Sequence, residues 1–231
     1  MKNLKENIVF LPCRKGSQRV ENKNTRDFAG IKGGLLAIKL QQLLDAKLVD
    51  KIILSSNDEQ VLEIGTSFDN RKITVIKRPD FLCSSSTSTD DLINYVPELV
   101  KCGTIIWTHV TSPFITGELY DKMIRKYYEN INNFDSLMSV TALKKFIWDK
   151  LSPINYDRTV EKWPRTQTLE PLFEINSGAF IADISIYQQK KDRIGENIFL
   201  YELSERESYD IDWQDDFDMA EIIFKQLKYL R

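Results

Sequence analysis

At 231 residues, with 42% hydrophobic and 29% charged side chains, the chain can bury a substantial core, and one domain over 1–231 is the expectation. Its 32 basic residues are balanced by 34 acidic ones, which excludes a general attraction to nucleic acid or anionic membrane, so an anionic ligand must meet a local basic cluster. The longest apolar runs are short and the first seven residues are charged and polar, which points to a cytoplasmic protein with no membrane partner.

In chain order, 8–11 (IVFL) is an apolar run of strand length, and the polar, basic, glycine-containing stretch 14–24 cannot continue it. Helical spacing over 35–48 and a β-branched run at 51–54 complete a strand, helix, strand unit. The alternation recurs with helices near 59–66 and 90–100, strands at 73–76 and 104–107, a helix at 118–130 and a strand at 136–140. Such a series argues for a three-layer α/β/α fold with a mostly parallel sheet, whose ligand sits beyond the carboxyl ends of the strands. From 141 to 174 the pattern weakens around Pro153, Pro164 and Pro171, as expected of an inserted arm or lid carrying Phe146, Trp148 and Trp163. A strand over 173–181 and an amphipathic helix over 215–230 follow. Cys13, Cys83 and Cys102, widely spaced and with one histidine in the chain, fit buried thiols better than a zinc site or a disulfide.

Two segments carry explicit chemistry. The loop LPCRKGSQRVENKN places Arg14, Lys15, Arg19 and Lys23 around Gly16 and Ser17 directly after the first strand. Glycine admits backbone N–H groups to phosphate oxygens, arginine gives bidentate contacts and lysine a point charge; a solvated basic turn is the alternative. Neither GxxxxGK[ST] nor GxGxxG is present. Near the other end, Asp210 and Asp212 would project from one face of an extended strand, a hard-oxygen pair suited to magnesium, with manganese an alternative. An acidic helix N-terminus competes for this stretch and suits Asp215, Asp216 and Asp218.

The basic loop resembles the xPARxGSKxxxxKN signature of the CMP-acylneuraminate and CMP-Kdo synthetases, with Arg14, Gly16, Ser17, Lys23 and Asn24 at matching positions. Further resembling blocks are SSNDE from Ser55, RPDFLCSSSTST from Arg78, HVTSPF from His109, WPRTQTLEP from Trp163, NSGAFI from Asn176 and SYDIDWQDDFDMAE from Ser208, so the likeness spans nearly the whole chain. It implies a Rossmann-like nucleotidyltransferase fold in which 141–174 helps to form a homodimer. It also implies a cytidylyltransferase that moves CMP from CTP to a 2-keto-3-deoxy acidic sugar such as sialic, legionaminic or pseudaminic acid. By the same likeness Arg14, Lys23, Asp210 and Asp212 are catalytic, and Asp210 and Asp212 hold the metal. Pro12, Arg14, Gly16, Ser17, Lys23, Asn24, Arg78, Ser84 and Ser86 would meet the nucleotide. His109, Thr111, Ser112, Arg165, Gln167, Asn176 and Gly178 would meet the sugar, with Arg165 on its carboxylate.

Competing readings stay open for several of these. Ser88 or Thr89 would serve as a helix N-cap, Asn176 and Gly178 as a strand irregularity, and His109 as a satisfied structural histidine. Lys15, Gln18, Ser85 and His109 depart from the family pattern, the last replacing a glutamine, which leaves the acceptor unassigned. No residue stands out as a general base. Two other functions compete: a nucleotidyltransferase with another nucleotide or acceptor, and a non-catalytic nucleotide-binding homologue, against which the aspartate pair argues.

Overall fold

The computed structural model describes residues 5–17, 19–84 and 86–229; Gln18, Ser85 and the end of the expected terminal helix at Leu230 lie outside the described residues. The apolar run after the polar N-terminus forms β1 (Asn7–Cys13), buried at every position except Pro12, as suits a strand covered on both faces. It pairs in parallel with β2 (Lys51–Ser56) on one side and β4 (Thr104–Trp107) on the other, and β3 (Ile73–Lys77) lies parallel beyond β2. The crossovers are α1 (Gly34–Asp45), α2 (Glu59–Ser67) and α3 (Thr89–Leu99). After α4 (Gly117–Asn130) come β5 (Ser136–Leu143), β6 (Leu172–Asp183), α5 (Ile184–Lys190), β7 (Ile198–Glu202) and α6 (Gln214–Tyr229). The described sheet has seven strands in the order β3-β2-β1-β4-β6-β5-β7, with β6 antiparallel to both neighbours.

The sheet's two faces carry separate cores. One joins it to α1, α4 and α6 through Leu35, Leu40, Tyr120, Ile124 and Phe217; the other joins it to α3 and α5 through Trp107, Phe180, Val96 and Tyr187. The three-layer α/β/α expectation with a mostly parallel sheet therefore holds. Helix starts follow local chemistry: Asp58 caps α2, Thr116 caps α4, and Ser88 with Asp91 forms a reciprocal capping box on α3, so the N-cap reading of Ser88 is what the structure has.

Three expectations need correction and two elements went unread. Elements α5 and β7 were not anticipated, because α5 has only seven residues and β7 is an incompletely buried edge strand, so neither builds a strong apolar period. Residues 210–212 lie outside any strand, in an irregular segment leading into α6. The expected arm over 141–174 overlaps the sheet at both ends, where Thr141 pairs with Glu174 and Leu143 with Leu172, so the excursion is the prolonged β5–β6 connection. Of the cysteines only Cys13 is buried, its thiol pushed up to about 12 by burial, whereas Cys83 is half-buried and Cys102 is exposed. Among the described residues no helix is long and apolar enough to cross a membrane.

Candidate active site

From β1 the chain winds outward through β2 and β3, then returns to place β4 on the other side of β1. That reversal opens a crevice between the loops that follow β1 and β4, the ordinary ligand position in an open α/β sheet. The segment before α6 closes it. Ile211 is fully buried, its N–H donates to the Thr111 carbonyl at 3.0 Å, and its own carbonyl accepts from Lys23 Nζ at 2.6 Å. One apolar side chain thus anchors the segment while its backbone ties both loops together, and the flanking Asp210 and Asp212 are carried to the crevice.

The two carboxylates have different surroundings. Asp210 Oδ2 accepts from Ser177 Oγ at 2.7 Å, whereas its Oδ1 is buried with no hydrogen-bond partner among the described residues. Asp212 Oδ1 lies 3.1 Å from Arg19 Nη1 and 3.8 Å from Lys23 Nζ. Burial holds the Lys23 amine below its usual range, against the opposing pull of Asp212 and Asp210. With Arg19 and Asp212 side chains 50% and 54% exposed, their pair contributes at most about 1 kcal/mol to folding, so its interest is where it puts the charges. Asp216, in the first turn of α6, accepts from the N–H groups of Asp212 at 3.0 Å and Trp213 at 2.8 Å, fixing this turn. No group of three or more His, Cys, Asp or Glu able to hold a metal occurs among the described residues. A cation here would have two protein carboxylates and take its other ligands from phosphate and water, the usual arrangement for magnesium with nucleotides. The unpartnered Asp210 oxygen and the all-oxygen donor set fit such an ion.

In the basic loop Gly16 has φ 81°, a left-handed turn that glycine adopts without strain. A Cβ there would touch nothing, so the need is conformational. Arg14 Nη1 donates to the Ser84 carbonyl at 3.2 Å, Lys15 N–H to Asn57 Oδ1 at 2.9 Å and Asn24 Nδ2 to the Arg14 carbonyl at 3.5 Å. The loop therefore adjoins the exposed Ser84 and Ser86, whose hydroxyls lie 2.8 Å apart. Pro12, beside Ser55 on β2, and the half-buried Ser17 flank this turn. Arg78 is 2% exposed and its guanidinium is spent on Ser55, on the carbonyl at 2.8 Å and on Oγ at 3.3 Å, which locks the end of β2 beneath the loop.

Past β4, the Trp107 indole N–H donates to His109 Nε2 at 2.9 Å. Burial and the charge of Arg193 lower the histidine pKa from 6.5 to about 4. Ser112 is buried; its carbonyl accepts from Lys39 Nζ at 2.7 Å, and the same amine donates to Tyr120 Oη at 2.8 Å. Burial pushes Lys39 down to about 7. The sequence reading missed this lysine, although a signal was there: it falls at a core position of the apolar face Leu35, Leu36, Leu40 and Leu43.

Asn176 spends its amide on three bonds inside the fold. Its Oδ1 accepts from Ser139 Oγ at 2.6 Å and from the Gly178 N–H at 3.1 Å, and its Nδ2 donates to Thr141 Oγ1 at 3.1 Å. These bonds sit where the β5–β6 register shifts between Met138 and Val140, so the irregular-strand reading describes Asn176 and Gly178. Arg165 and Gln167 are exposed in and beside a short 3-10 turn (Thr166–Thr168) of the arm, and their side chains bond to none of the crevice residues described. A cavity of ≈ 500 Å³ next to the carboxylates is lined by Glu174, Asn176, Tyr209, Asp210, Asp212 and Trp213. A larger apolar one of ≈ 590 Å³ lies between α1, α4 and α6 and contains none of these charged groups.

Comparison with known proteins fits this geometry. The family model described as Cytidylyltransferase matches residues 8–231. The pseudaminic acid cytidylyltransferase of Campylobacter jejuni subsp. jejuni serotype O:23/36 (strain 81-176) is 25% identical over 95% of this chain and 97% of its own length. The N-acylneuraminate cytidylyltransferase of Streptococcus agalactiae serotype III (strain NEM316) is 26% identical over 91% of this chain, which spans about half, 51%, of that longer relative. Among solved structures, a CMP:2-keto-3-deoxy-manno-octonic acid synthetase complexed with CTP superposes with a TM-score of 0.69, at 14% identity, over 96% of this chain and 99% of that one.

Proposed function

The chain belongs to the cytidylyltransferase family, a family of nucleotidyltransferases, and we propose that it transfers CMP from CTP to a 2-keto-3-deoxy acidic sugar, with release of pyrophosphate. The observation that carries this reading is the direct approach of the basic loop to the aspartate segment, where Lys23 and Arg19 meet Asp212. Opposite charges held in one crevice suit a triphosphate that arrives with its own cation. The names of relatives that act on pseudaminic and N-acylneuraminic acids support an acidic nine-carbon sugar as acceptor.

In this reading Arg14, Arg19 and Lys23 hold the phosphates, with backbone N–H groups around Gly16 and Ser17 completing the cradle. The hydroxyls of Ser84 and Ser86, tied to the loop through Arg14, face the nucleoside end, and Arg78 acts from below by fixing β2. The acceptor's anomeric hydroxyl attacks the α-phosphate in line, and the cationic loop takes up charge that develops on the departing pyrophosphate. Asp210 and Asp212 would hold a divalent cation, which when bound offsets phosphate charge and orients the triphosphate. We further propose a single cytidylyltransferase domain over 1–231 whose arm forms a homodimer. Leu151, Val160 and Trp163 are 89%, 84% and 65% exposed there, and Phe146 stacks edge-on to Tyr156 and Trp163, an apolar patch suited to a second copy.

Incubation with CTP, magnesium and a panel of 2-keto acids, including pseudaminic, N-acetylneuraminic and 2-keto-3-deoxy-octonic acids, tests the function. One acid should yield pyrophosphate and a conjugate heavier by one CMP residue in mass spectrometry. Turnover with another nucleotide in preference to CTP, or none with any acid, would contradict it.

A further inference from the structure

Arg193, in the turn between α5 and β7, has no task in the site described so far. Its guanidinium carbon lies 3.6 Å from the Phe180 ring centroid and 5.4 Å from that of Trp107. Those rings sit at paired positions of β6 and β4, and Trp107 is the last residue of β4, so the guanidinium lies at the carboxyl edge of the sheet on the face covered by α3 and α5. Asp192 Oδ1 accepts from the N–H groups of Arg193 at 2.6 Å and Ile194 at 3.4 Å, and the charges of Asp192 and Asp90 favour the Arg193 cation from a distance without forming an ion pair with it. Among the described residues no ion pair and no side-chain hydrogen bond involves the Arg193 guanidinium. Burial pulls its pKa below the usual guanidine range, so the charge is partly desolvated. A desolvated guanidinium with five donors and no acceptor is costly unless an anion is supplied from outside.

A second unpartnered donor borders the same ring. Trp107 N–H can only donate, so His109 Nε2 is an acceptor and the neutral imidazole carries its proton on Nδ1. No acceptor for that Nδ1–H occurs among the described residues, and the ring centroids of His109 and Trp107 are 6.3 Å apart.

We propose that Arg193, together with the Nδ1–H of His109 beside the same indole, receives the carboxylate of the acceptor 2-keto acid. This rests on the cytidylyl transfer proposed above, and it assigns to Arg193 the contact that resemblance alone gives to the exposed Arg165. A guanidinium stacked on Phe180 presents its fork in a fixed plane and takes both carboxylate oxygens at once. Lysine at this position would keep the charge and lose the fork.

The test is steady-state kinetics on the wild type, R193Q and R193K with whichever of pseudaminic, N-acetylneuraminic or 2-keto-3-deoxy-octonic acid the wild type uses, and with that sugar's methyl ester. R193Q should raise KM for the acid about 30-fold or more, R193K should fall between, and KM for CTP should stay put in both. The ester should be a poor substrate for the wild type and no worse for R193Q. An unchanged acid KM in R193Q, a rise confined to CTP, or undiminished discrimination between acid and ester in R193Q would overturn the assignment. Wild type that makes no conjugate with any acid would overturn the parent function first; a working wild type with an indifferent R193Q overturns only the role of Arg193.

Discussion

The indole of Trp107 decides the state of His109. Because that N–H has no lone pair to offer, the imidazole nitrogen facing it must keep its own, and protonating the ring in the folded protein sets two donors against each other beside the Arg193 charge. The folded pKa, about 4, lies below the 6.5 of an unperturbed histidine, so as pH falls the unfolded chain takes up the proton first. The stability tied to a neutral His109 is intact above pH 6.5 and drains away down to pH 4, by up to about 3 kcal/mol. Thermal melts between pH 4 and 7 should show this limb in the wild type and a flatter one in His109→Gln; parallel curves would contradict it. At this scale the sequence was informative about identity and less so about role. The family likeness set His109 among the sugar contacts, but the bond that sets its tautomer depends on Trp107 two residues earlier in the chain. Lys39 went unread because a lysine in an amphipathic helix normally projects its charge into water, and Arg193 because a charged residue in a turn carries no periodic signal.

Among the elements, the irregular stretch of β6 does the positioning. Ser177 leaves the regular ladder to reach Asp210, while Asn176 satisfies the backbone that the irregularity would otherwise leave open. The Gly178 carbonyl accepts from Thr108 Oγ1 at 2.7 Å, and a Cβ on Gly178 would sit 2.6 Å from Ser139 Oγ and 2.9 Å from Leu203 Cδ1. Gly178→Ala should therefore cost about 1–3 kcal/mol in denaturant unfolding, as overpacking does; an unchanged midpoint would mean the glycine is not required by packing. The parallel half of the sheet was legible because buried strands and their crossover helices alternate apolar runs with helical periods, from β1 through β4. The later half was legible only in part. Strand β7 and helix α5 are short and incompletely covered, and 210–212 was assigned a strand because its alternation of acid and apolar residues suits one. What fixes that segment is tertiary: Ile211 bonds to Thr111 and Lys23, contacts no local pattern announces.

For the whole molecule, the consequence is a crevice built from parts far apart in sequence. Lys23 in the loop after β1 and Ile211 in the segment before α6 stand 188 residues apart and share a hydrogen bond, beside the approach of Arg19 and Lys23 to Asp212. Calorimetric titration of CTP, with and without magnesium, into the wild type and Asp212→Asn measures whether that meeting grips a triphosphate. If it does, magnesium strengthens CTP binding by the wild type about tenfold or more, and the variant loses this gain while binding metal-free CTP no more weakly, since the lost carboxylate repels phosphate. Asp212→Asn that keeps the full magnesium-dependent gain would contradict a shared site for the basic loop and the paired aspartates.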